Sequence, residues 1–222
     1  MAYSPVETFA FSGGAGVDVI TTYPTLGTID GTTSGYLKQN AGGQMYCAFG
    51  TSTPRLLRGA GTYTNDQYAE ALLHTLTTGF NSDWANVVLQ ADAGAAPSEN
   101  YYTARVSNGT TKTTQIIKVV SGSPTTLASS TSIAWASGDK ILVEIVSGVI
   151  SVYRDTGGGY GSAVLSHDDS GSSPLTGGKP GFGMTPTSGA AYYMDDVELG
   201  DVTSGGGSSI AAISNHYRKL RT

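Results

Sequence analysis

Apolar and polar residues alternate in short runs along the chain, and each run is bounded by Gly, Asn, Asp, Ser or Pro. This pattern is typical of β-strands. The strongest run covers residues 67–77, and its two faces carry Tyr68, Glu70, Leu72, His74 and Leu76 on one side and Ala69, Ala71, Leu73 and Thr75 on the other. Because both faces are mostly apolar, we predict a strand inside a layered structure rather than at an open edge.

Two β-hairpins are predicted from their turn sequences. Asn108-Gly109 follows a predicted strand at residues 101–107 and precedes another at residues 113–120. Asn-Gly favours a type I′ turn, in which both central residues have positive φ. Ser147-Gly148 joins residues 140–146 to residues 149–155, and both arms are rich in Val and Ile, whose branched side chains pack well on a pleated sheet.

The remaining strand signals complete an all-β pattern. Further strands are predicted at residues 7–11, 36–39, 44–49, 86–91, 163–166, 181–185 and 190–199. About eleven short strands at such spacings are typical of a two-layer sandwich. We therefore predict a two-sheet antiparallel β-sandwich over residues 1–202, a Gly/Ser linker over residues 203–209 and a C-terminal docking tail over residues 210–222.

The composition of the chain excludes several classes of protein and of site. The 222 residues include only 13% charged side chains and carry a formal charge of −5, which excludes a protein that coats nucleic acid, since phosphate contacts need a basic surface. Cys47 is the only cysteine, so intrachain disulfides and Cys-based zinc sites are excluded. The opening MAYSPVETFAFSGG lacks the features of a signal peptide, and no apolar run has the length of a membrane span. We expect a protein made in a cytoplasm, with no membrane partner.

Seven segments follow one another over about residues 67–201: QYAEALLHTL, NVVLQAD, NYYTARVSNG, QIIKVVSGSPTTLASS, SGDKILVEIVSGVISVYRD, GGKPGFGM and YYMDDVELGD. In this order they resemble the concanavalin A-like lectin/glucanase jelly roll, in its laminin-G-like form. Stand-alone copies with a Gly/Ser/Thr-rich body and a short tail are similar to accessory structural proteins of tailed bacteriophages. The resemblance implies a jelly-roll sandwich and a place in a virion.

Glycoside hydrolysis is the enzymatic activity that this resemblance implies. It needs two carboxylates, one on each side of the scissile bond, and the glucanases of the superfamily supply them from alternate positions of one strand. Here that strand offers Glu70, Leu72 and His74, so the pair is missing and we predict no catalytic residue. We interpret Glu70 and His74 as a hydrogen-bonded pair on the sheet face.

Two acidic pairs and two glycine runs are candidate metal and phosphate sites. Asp168-Asp169 and Asp195-Asp196 could supply oxygen ligands to Ca²⁺, but neither pair has the spacing of a calcium loop, and adjacent strand residues point to opposite faces. The runs at residues 13–16 and 157–159 lack the Gly-Lys-Ser/Thr ending of a phosphate loop, so we predict turns. We predict no metal and no other cofactor.

Aromatic side chains are the candidate glycan contacts. Tyr101, Tyr102, Tyr160 and Trp84 lie near predicted loops or strand starts. Flat amphipathic rings are used by sugar-binding sites and also by protein interfaces and cores, so packing roles are the alternative. For Tyr101-Tyr102 we expect one ring to face the core and the other to face outward.

The tail carries an apolar stripe followed by basic residues. Its predicted docking residues are Ile210, Ile213, Tyr217, Arg218, Lys219, Leu220 and Arg221. The apolar members fall on one stripe of a helix, and positive charge suits a helix C-terminus. An extended arm that adds a strand to a neighbour and a frayed terminus without function are the alternatives.

These observations lead to one functional hypothesis with two alternatives. We expect a non-enzymatic structural protein of a bacteriophage virion, such as a head decoration protein, head fibre or tail accessory, assembled in the host cytoplasm. It would dock on capsid or tail proteins and contact host-surface glycans, and closed symmetry favours a homo-oligomer. The alternatives are a carbohydrate-binding module and a glucanase-like hydrolase.

Overall fold

The computed structural model describes residues 2–9, 19, 26–29, 37–47, 54–76, 83–92, 99–108, 111–185 and 192–203. The strands in these residues are, in chain order, β1 (Ala2–Phe9), β2 (Gly27–Ile29), β3 (Leu37–Gln39), β4 (Met45–Cys47), β5 (Arg55–Arg58), β6 (Gln67–Leu76), β7 (Trp84–Ala91), β8 (Tyr101–Asn108), β9 (Lys112–Val120), β10 (Ser123–Ser130), β11 (Lys140–Val146), β12 (Val149–Asp155), β13 (Leu165–Asp168), β14 (Lys179–Thr185) and β15 (Tyr192–Thr203). They form two antiparallel sheets, which confirms the predicted all-β sandwich.

The long strand β6 lies in the middle of the first sheet, as its two apolar faces predict. That sheet has the order β13–β12–β11–β6–β15–β4–β3, and β1 pairs with the C-terminal part of β15. The second sheet has the order β10–β9–β8–β7–β14–β5–β2. Strands far apart in the chain pair within the first sheet, as β6 does with β11 and β15.

The main core lies between the two sheets. Ala69, Ala71 and Leu73 of β6 belong to one buried cluster with Phe182 of β14 and with Trp135, which lies in the connection before β11. The Trp135 indole nitrogen donates to Thr114 Oγ1 of β9 at 2.8 Å. The alternating residues of β6 therefore point away from this core, to the outer face of the first sheet.

Both predicted hairpins are confirmed by strand pairing. β8 pairs with β9 up to Asn108 and Lys112, although Gly109 itself lies outside the described residues. β11 pairs with β12 up to Val146 and Val149. In the turn between them Ser147 has φ 51° and Gly148 has φ 84°, as a type I′ turn requires.

Three strands were not predicted from the sequence, namely β2, β5 and β10, and β1 begins several residues before the strand predicted at residues 7–11. β10 is an exposed, polar edge strand. It pairs with β9 along its backbone, and Leu127 and Ala128 are its apolar side chains that pack against the main core. Its sequence therefore lacks the apolar alternation that marks an interior strand.

The C-terminal strand β15 ends at Thr203, one residue beyond the predicted boundary of the sandwich. The predicted docking residues, from Ile210 to Arg221, lie outside the described residues, as do residues 204–209. Within the described segments, no helix combines the length and the hydropathy that a membrane crossing needs.

Candidate functional site

Three buried glutamates share the outer face of the first sheet. Glu70 of β6, Glu144 of β11 and Glu198 of β15 are 0%, 2% and 2% exposed. Glu198 is the direct register partner of Glu70, and Glu144 is the partner of Tyr68. The sequence pattern pointed to Glu70 alone, because a pattern along one strand does not show carboxylates that neighbouring strands contribute.

Tyrosine hydroxyls hold two of these carboxylates. The hydroxyl of Tyr3 donates to Glu144 Oε2 at 2.7 Å, and that of Tyr153 donates to Glu144 Oε1 at 2.6 Å. Tyr68 donates to Glu198 in the same way. Burial, followed by the hydrogen bond to Glu144, raises the pKa of Tyr153 to about 12 and also raises the pKa of Tyr3. The phenols therefore stay protonated and act as donors.

Glu70 is paired with a lysine rather than with the predicted histidine. Lys140 Nζ lies 3.0 Å from Glu70 Oε1. Burial raises the pKa of Glu70, the charge of Lys140 opposes that shift, and the nearby Glu198 adds to it. The predicted Glu70–His74 pair is wrong, because His74 is exposed and its Nδ1 lies 3.1 Å from Thr75 Oγ1.

A glycine-rich loop follows β12 and carries Tyr160. Asp155 Oδ1 accepts from the backbone amides of Gly157 and Gly159, both at 2.7 Å, and these glycines have φ 106° and 95°. The predicted turn at residues 157–159 is confirmed. Tyr160 packs on the small outer cluster formed by Tyr68, Leu142 and Val202, so its half-buried ring is part of the packing of this face.

The other predicted glycan contacts are not brought together with Tyr160. Tyr102 lies in the main core and Tyr101 on the opposite face of β8, as expected, but both are buried, at 1% and 3% exposed. The ring expected to face outward is covered, so neither ring can stack on a sugar. Trp84 is half-buried at the start of β7, and the Arg105 guanidinium lies 4.2 Å from its ring. That cation–π contact occupies one face of the indole.

Three of the four aspartates considered as calcium ligands have protein partners. Asp169 is buried and accepts from Lys118 Nζ at 2.7 Å and from the Tyr102 hydroxyl at 2.5 Å. Asp168 is exposed, and hydrogen bonds from Ser170 lower its pKa. Asp195 Oδ1 accepts from the amide of its neighbour, residue 196, at 2.8 Å. Among the described residues, no three metal-ligating side chains come together.

A cleft of about 560 Å³ lies where β1, β15 and the segment before β6 meet. The described residues that line it are Ser4, Thr64, Asn65, Asp66, Asp201, Val202 and Thr203. Val202 also belongs to the outer cluster with Tyr68 and Leu142, so the cleft adjoins the glutamate face. No sequence pattern predicted this cleft, because its polar residues form no motif and come from three separate parts of the chain.

Hydrogen bonds fix the polar side chains of the cleft. Asp201 Oδ1 accepts from the amide of Thr64 at 2.7 Å and from its hydroxyl at 3.0 Å. Asp66 Oδ1 accepts from the amide of Ser147 at 2.8 Å, and Asn65 Oδ1 accepts from the amide of Gly177 at 2.9 Å. These bonds anchor the segment before β6 both to β15 and to the β11–β12 turn.

No protein-family model matches this sequence, and no curated protein sequence matches it significantly. Solved structures do match the sandwich. A protein of unknown function with a galectin-like fold from Bacillus subtilis has a TM-score of 0.62 at 10% identity, over 90% of this chain and 98% of the other. The carbohydrate-binding module CBM66 from Bacillus subtilis has a TM-score of 0.55 at 15% identity, over 78% and 95%. The fold is a concanavalin A-like jelly roll.

The same jelly roll occurs in an enzyme. The catalytic domain of an endo-1,3-beta-glucanase (laminarinase) from Thermotoga petrophila matches with a TM-score of 0.55 at 11% identity, over 91% of this chain and 99% of the other. A carbohydrate-binding module, a protein of unknown function and a hydrolase therefore share this architecture with the present chain. At such identities the likeness establishes the fold, and function has to be argued from the site.

Proposed function

We propose that this protein is a non-enzymatic glycan-binding module and that the cleft beside the glutamate face is its glycan site. The observation that carries the proposal is a preformed cleft with hydroxyl and carboxylate groups held in place by the hydrogen bonds of Asp66 and Asp201. Its volume of about 560 Å³ is in the range of small-ligand sites. Fixed polar groups lower the ordering cost of binding a polyhydroxylated ligand.

The apolar side of the cleft completes a surface suited to sugars. Val202 supplies an aliphatic wall, and behind it lie the rings of Tyr68 and Tyr3, whose centroids are 4.9 Å apart. Sugar rings combine hydroxyl-bearing edges with C–H faces, so a site needs polar and apolar walls together. The match to a structure described as a carbohydrate-binding module supports the same proposal.

Burial of the glutamates supports a non-enzymatic role. Hydrolysis requires two carboxyl groups, one on each side of the bound glycosidic bond. Glu70 is fully buried and bonded to Lys140, and Glu198 is bonded to Tyr68. A substrate would have to displace the packing of Tyr160 and its neighbours to reach this pair. We propose that the glutamates brace the sheet on which the cleft is built.

A glycan array with one blocking variant tests the site. Ser4→Trp places a large ring at an exposed position that lines the cleft, whereas Thr125→Trp adds the same ring to the exposed edge strand β10. We expect the wild type and Thr125→Trp to bind a common set of glycans and Ser4→Trp to lose them. Equal binding by all three proteins, or no glycan bound by the wild type, would overturn the proposal.

We further propose that this module belongs to a bacteriophage virion as a head decoration protein, head fibre or tail accessory. The support is the sequence resemblance together with the Gly/Ser run that follows β15, which ends at Thr203 beside the start of β1. The stripe from Ile210 to Leu220 would then dock on a capsid or tail protein. Mass spectrometry of purified particles tests this membership, and absence of the protein from particles would contradict it.

A further inference from the structure

We propose that the cleft selects sugars that carry a free amino group, bound as the ammonium ion, over the corresponding acetylated or acidic sugars. This inference rests on the proposed glycan site and names the class of sugar that it takes. It follows from the charges that line the cleft and from the way the two aspartates are held.

The lining of the cleft is negatively charged. Asp66 and Asp201 contribute two carboxylates, and the described lining residues include no Lys, Arg or His. The whole chain carries a formal charge of −5, so it offers no general positive field to offset them. A uronate or a phosphorylated sugar would be repelled, whereas an ammonium group would gain a charge-assisted hydrogen bond.

Each aspartate uses one oxygen for the protein and leaves the other for a ligand. Asp66 Oδ1 accepts from Ser147, and Asp201 Oδ1 accepts from Thr64. Neither Oδ2 makes a hydrogen bond to any residue that the structure describes. The protein bonds fix both carboxylates before a ligand arrives, so an ammonium group meets acceptors that are already ordered.

The amino sugar and its N-acetylated form are the most direct comparison, because they differ only in the group on the nitrogen. A free amine carries a positive charge and three donors, whereas an acetamide is neutral, has one donor and is bulkier. Hydrogen bonds to charged groups contribute more than neutral ones. We therefore expect glucosamine oligomers to bind at least about tenfold more tightly than N-acetylglucosamine oligomers of equal length.

The test is a calorimetric titration with three oligomers of equal length: glucosamine, N-acetylglucosamine and galacturonic acid. At about pH 5 the amine is protonated, because amines of this type titrate at higher pH. We expect the glucosamine oligomer to bind most tightly, the N-acetylglucosamine oligomer less tightly and the galacturonic acid oligomer most weakly. The amine's advantage should shrink as salt is added, since the cleft is open to solvent.

Isosteric variants separate charge from shape. Asp66→Asn and Asp201→Asn keep an Oδ1 acceptor for Ser147 and Thr64 while removing the charge. We define the affinity ratio as the affinity for the glucosamine oligomer divided by that for the N-acetylglucosamine oligomer. We expect each variant to reduce this ratio by about tenfold and to leave the melting temperature close to that of the wild type. Asp168→Asn removes the same charge at an exposed position outside the described lining and should leave the ratio unchanged.

The outcomes distinguish this inference from the proposal beneath it. If the acetylated oligomer binds as tightly as the amine and Ser4→Trp abolishes both, the glycan site stands and the amine preference is wrong. If Asp168→Asn lowers the ratio as much as Asp66→Asn, the preference is a general charge effect and the inference falls. If no oligomer binds and the array is also negative, the glycan site itself is wrong.

Discussion

Glu70 of β6 and Glu198 of β15 face each other directly across an antiparallel strand pair, and both are buried. Two neighbouring carboxylates removed from water repel each other and lose hydration when both are ionised. Lys140 offsets one charge and the Tyr68 hydroxyl donates to the other carboxylate. The outer face of the first sheet is therefore a hydrogen-bonded network of buried carboxylates, tyrosine hydroxyls and one ammonium group, in which a single change has a measurable cost.

The pH dependence of stability should change in Glu70→Gln. Burial raises the pKa of Glu70, so the folded state holds this proton more tightly than the unfolded state. Its contribution to stability is present below the ordinary glutamate pKa of about 4.3 and is lost as pH rises through the raised folded value. Urea unfolding at a series of pH values should show a decline in the wild type that is smaller in Glu70→Gln.

Asp168→Asn is the control for that experiment. Asp168 is exposed and its pKa is lowered, so its contribution has the opposite sign and is lost as pH falls through the folded value. The variant should keep the wild-type decline above pH 4.3, the approximate ordinary value for glutamate. Equal pH profiles for the wild type and Glu70→Gln would contradict the shift at Glu70.

We expect that the buried glutamates do not catalyse glucan hydrolysis. Because Glu70 and Glu198 are engaged and covered, the wild type should release no reducing sugar from β-1,3- or β-1,4-glucans. Glu70→Gln and Glu198→Gln should be indistinguishable from it in the same assay. Hydrolysis by the wild type that disappears in either variant would show that these carboxylates are catalytic and would end the non-enzymatic proposal.

The turn between β11 and β12 should tolerate no β-branched residue at Gly148. A Cβ there would lie 2.9 Å from the Cα of Ser170, and the glycine has φ 84°. We expect Gly148→Val to lower the free energy of unfolding by about 1–3 kcal/mol. Gly158→Val is the matched control, because a Cβ at Gly158 meets nothing within 4 Å. Equal unfolding midpoints for the two variants would refute the assignment of the turn. The same change at Gly109 stays a prediction, since that residue lies outside the described part of the chain.

Deletion of residues 204–222 should separate folding from assembly. The last strand in the described residues ends at Thr203, and we expect the truncated sandwich to unfold at the wild-type temperature. We expect it to be lost from particles, because the docking residues from Ile210 to Arg221 are removed. A chain whose tail has the same composition in scrambled order is the control and should also be lost. Normal occupancy of the truncated protein on particles would rule out the docking role.

The sequence by itself determined the local elements of this protein. A run with two mostly apolar faces identified β6, and the turn sequences around Gly109 and Gly148 located two hairpins. These features depend on neighbours along the chain, because strand periodicity and turn geometry are set within a few residues. The order of the matched segments also indicated the jelly roll, which the solved structures confirm.

Only the tertiary structure decided which side chains meet and which are covered. Glu198 joins Glu70 because β15 pairs with β6, and the cleft exists because Asp66 and Asp201 are brought together at the end of that sheet. Tyr101 and Tyr102 point to opposite faces of β8, yet both are buried, since Tyr102 lies in the main core and Tyr101 in a second apolar cluster. Alternation along a strand predicts which side chains share a face, but the burial of that face depends on long-range packing, which no local pattern encodes.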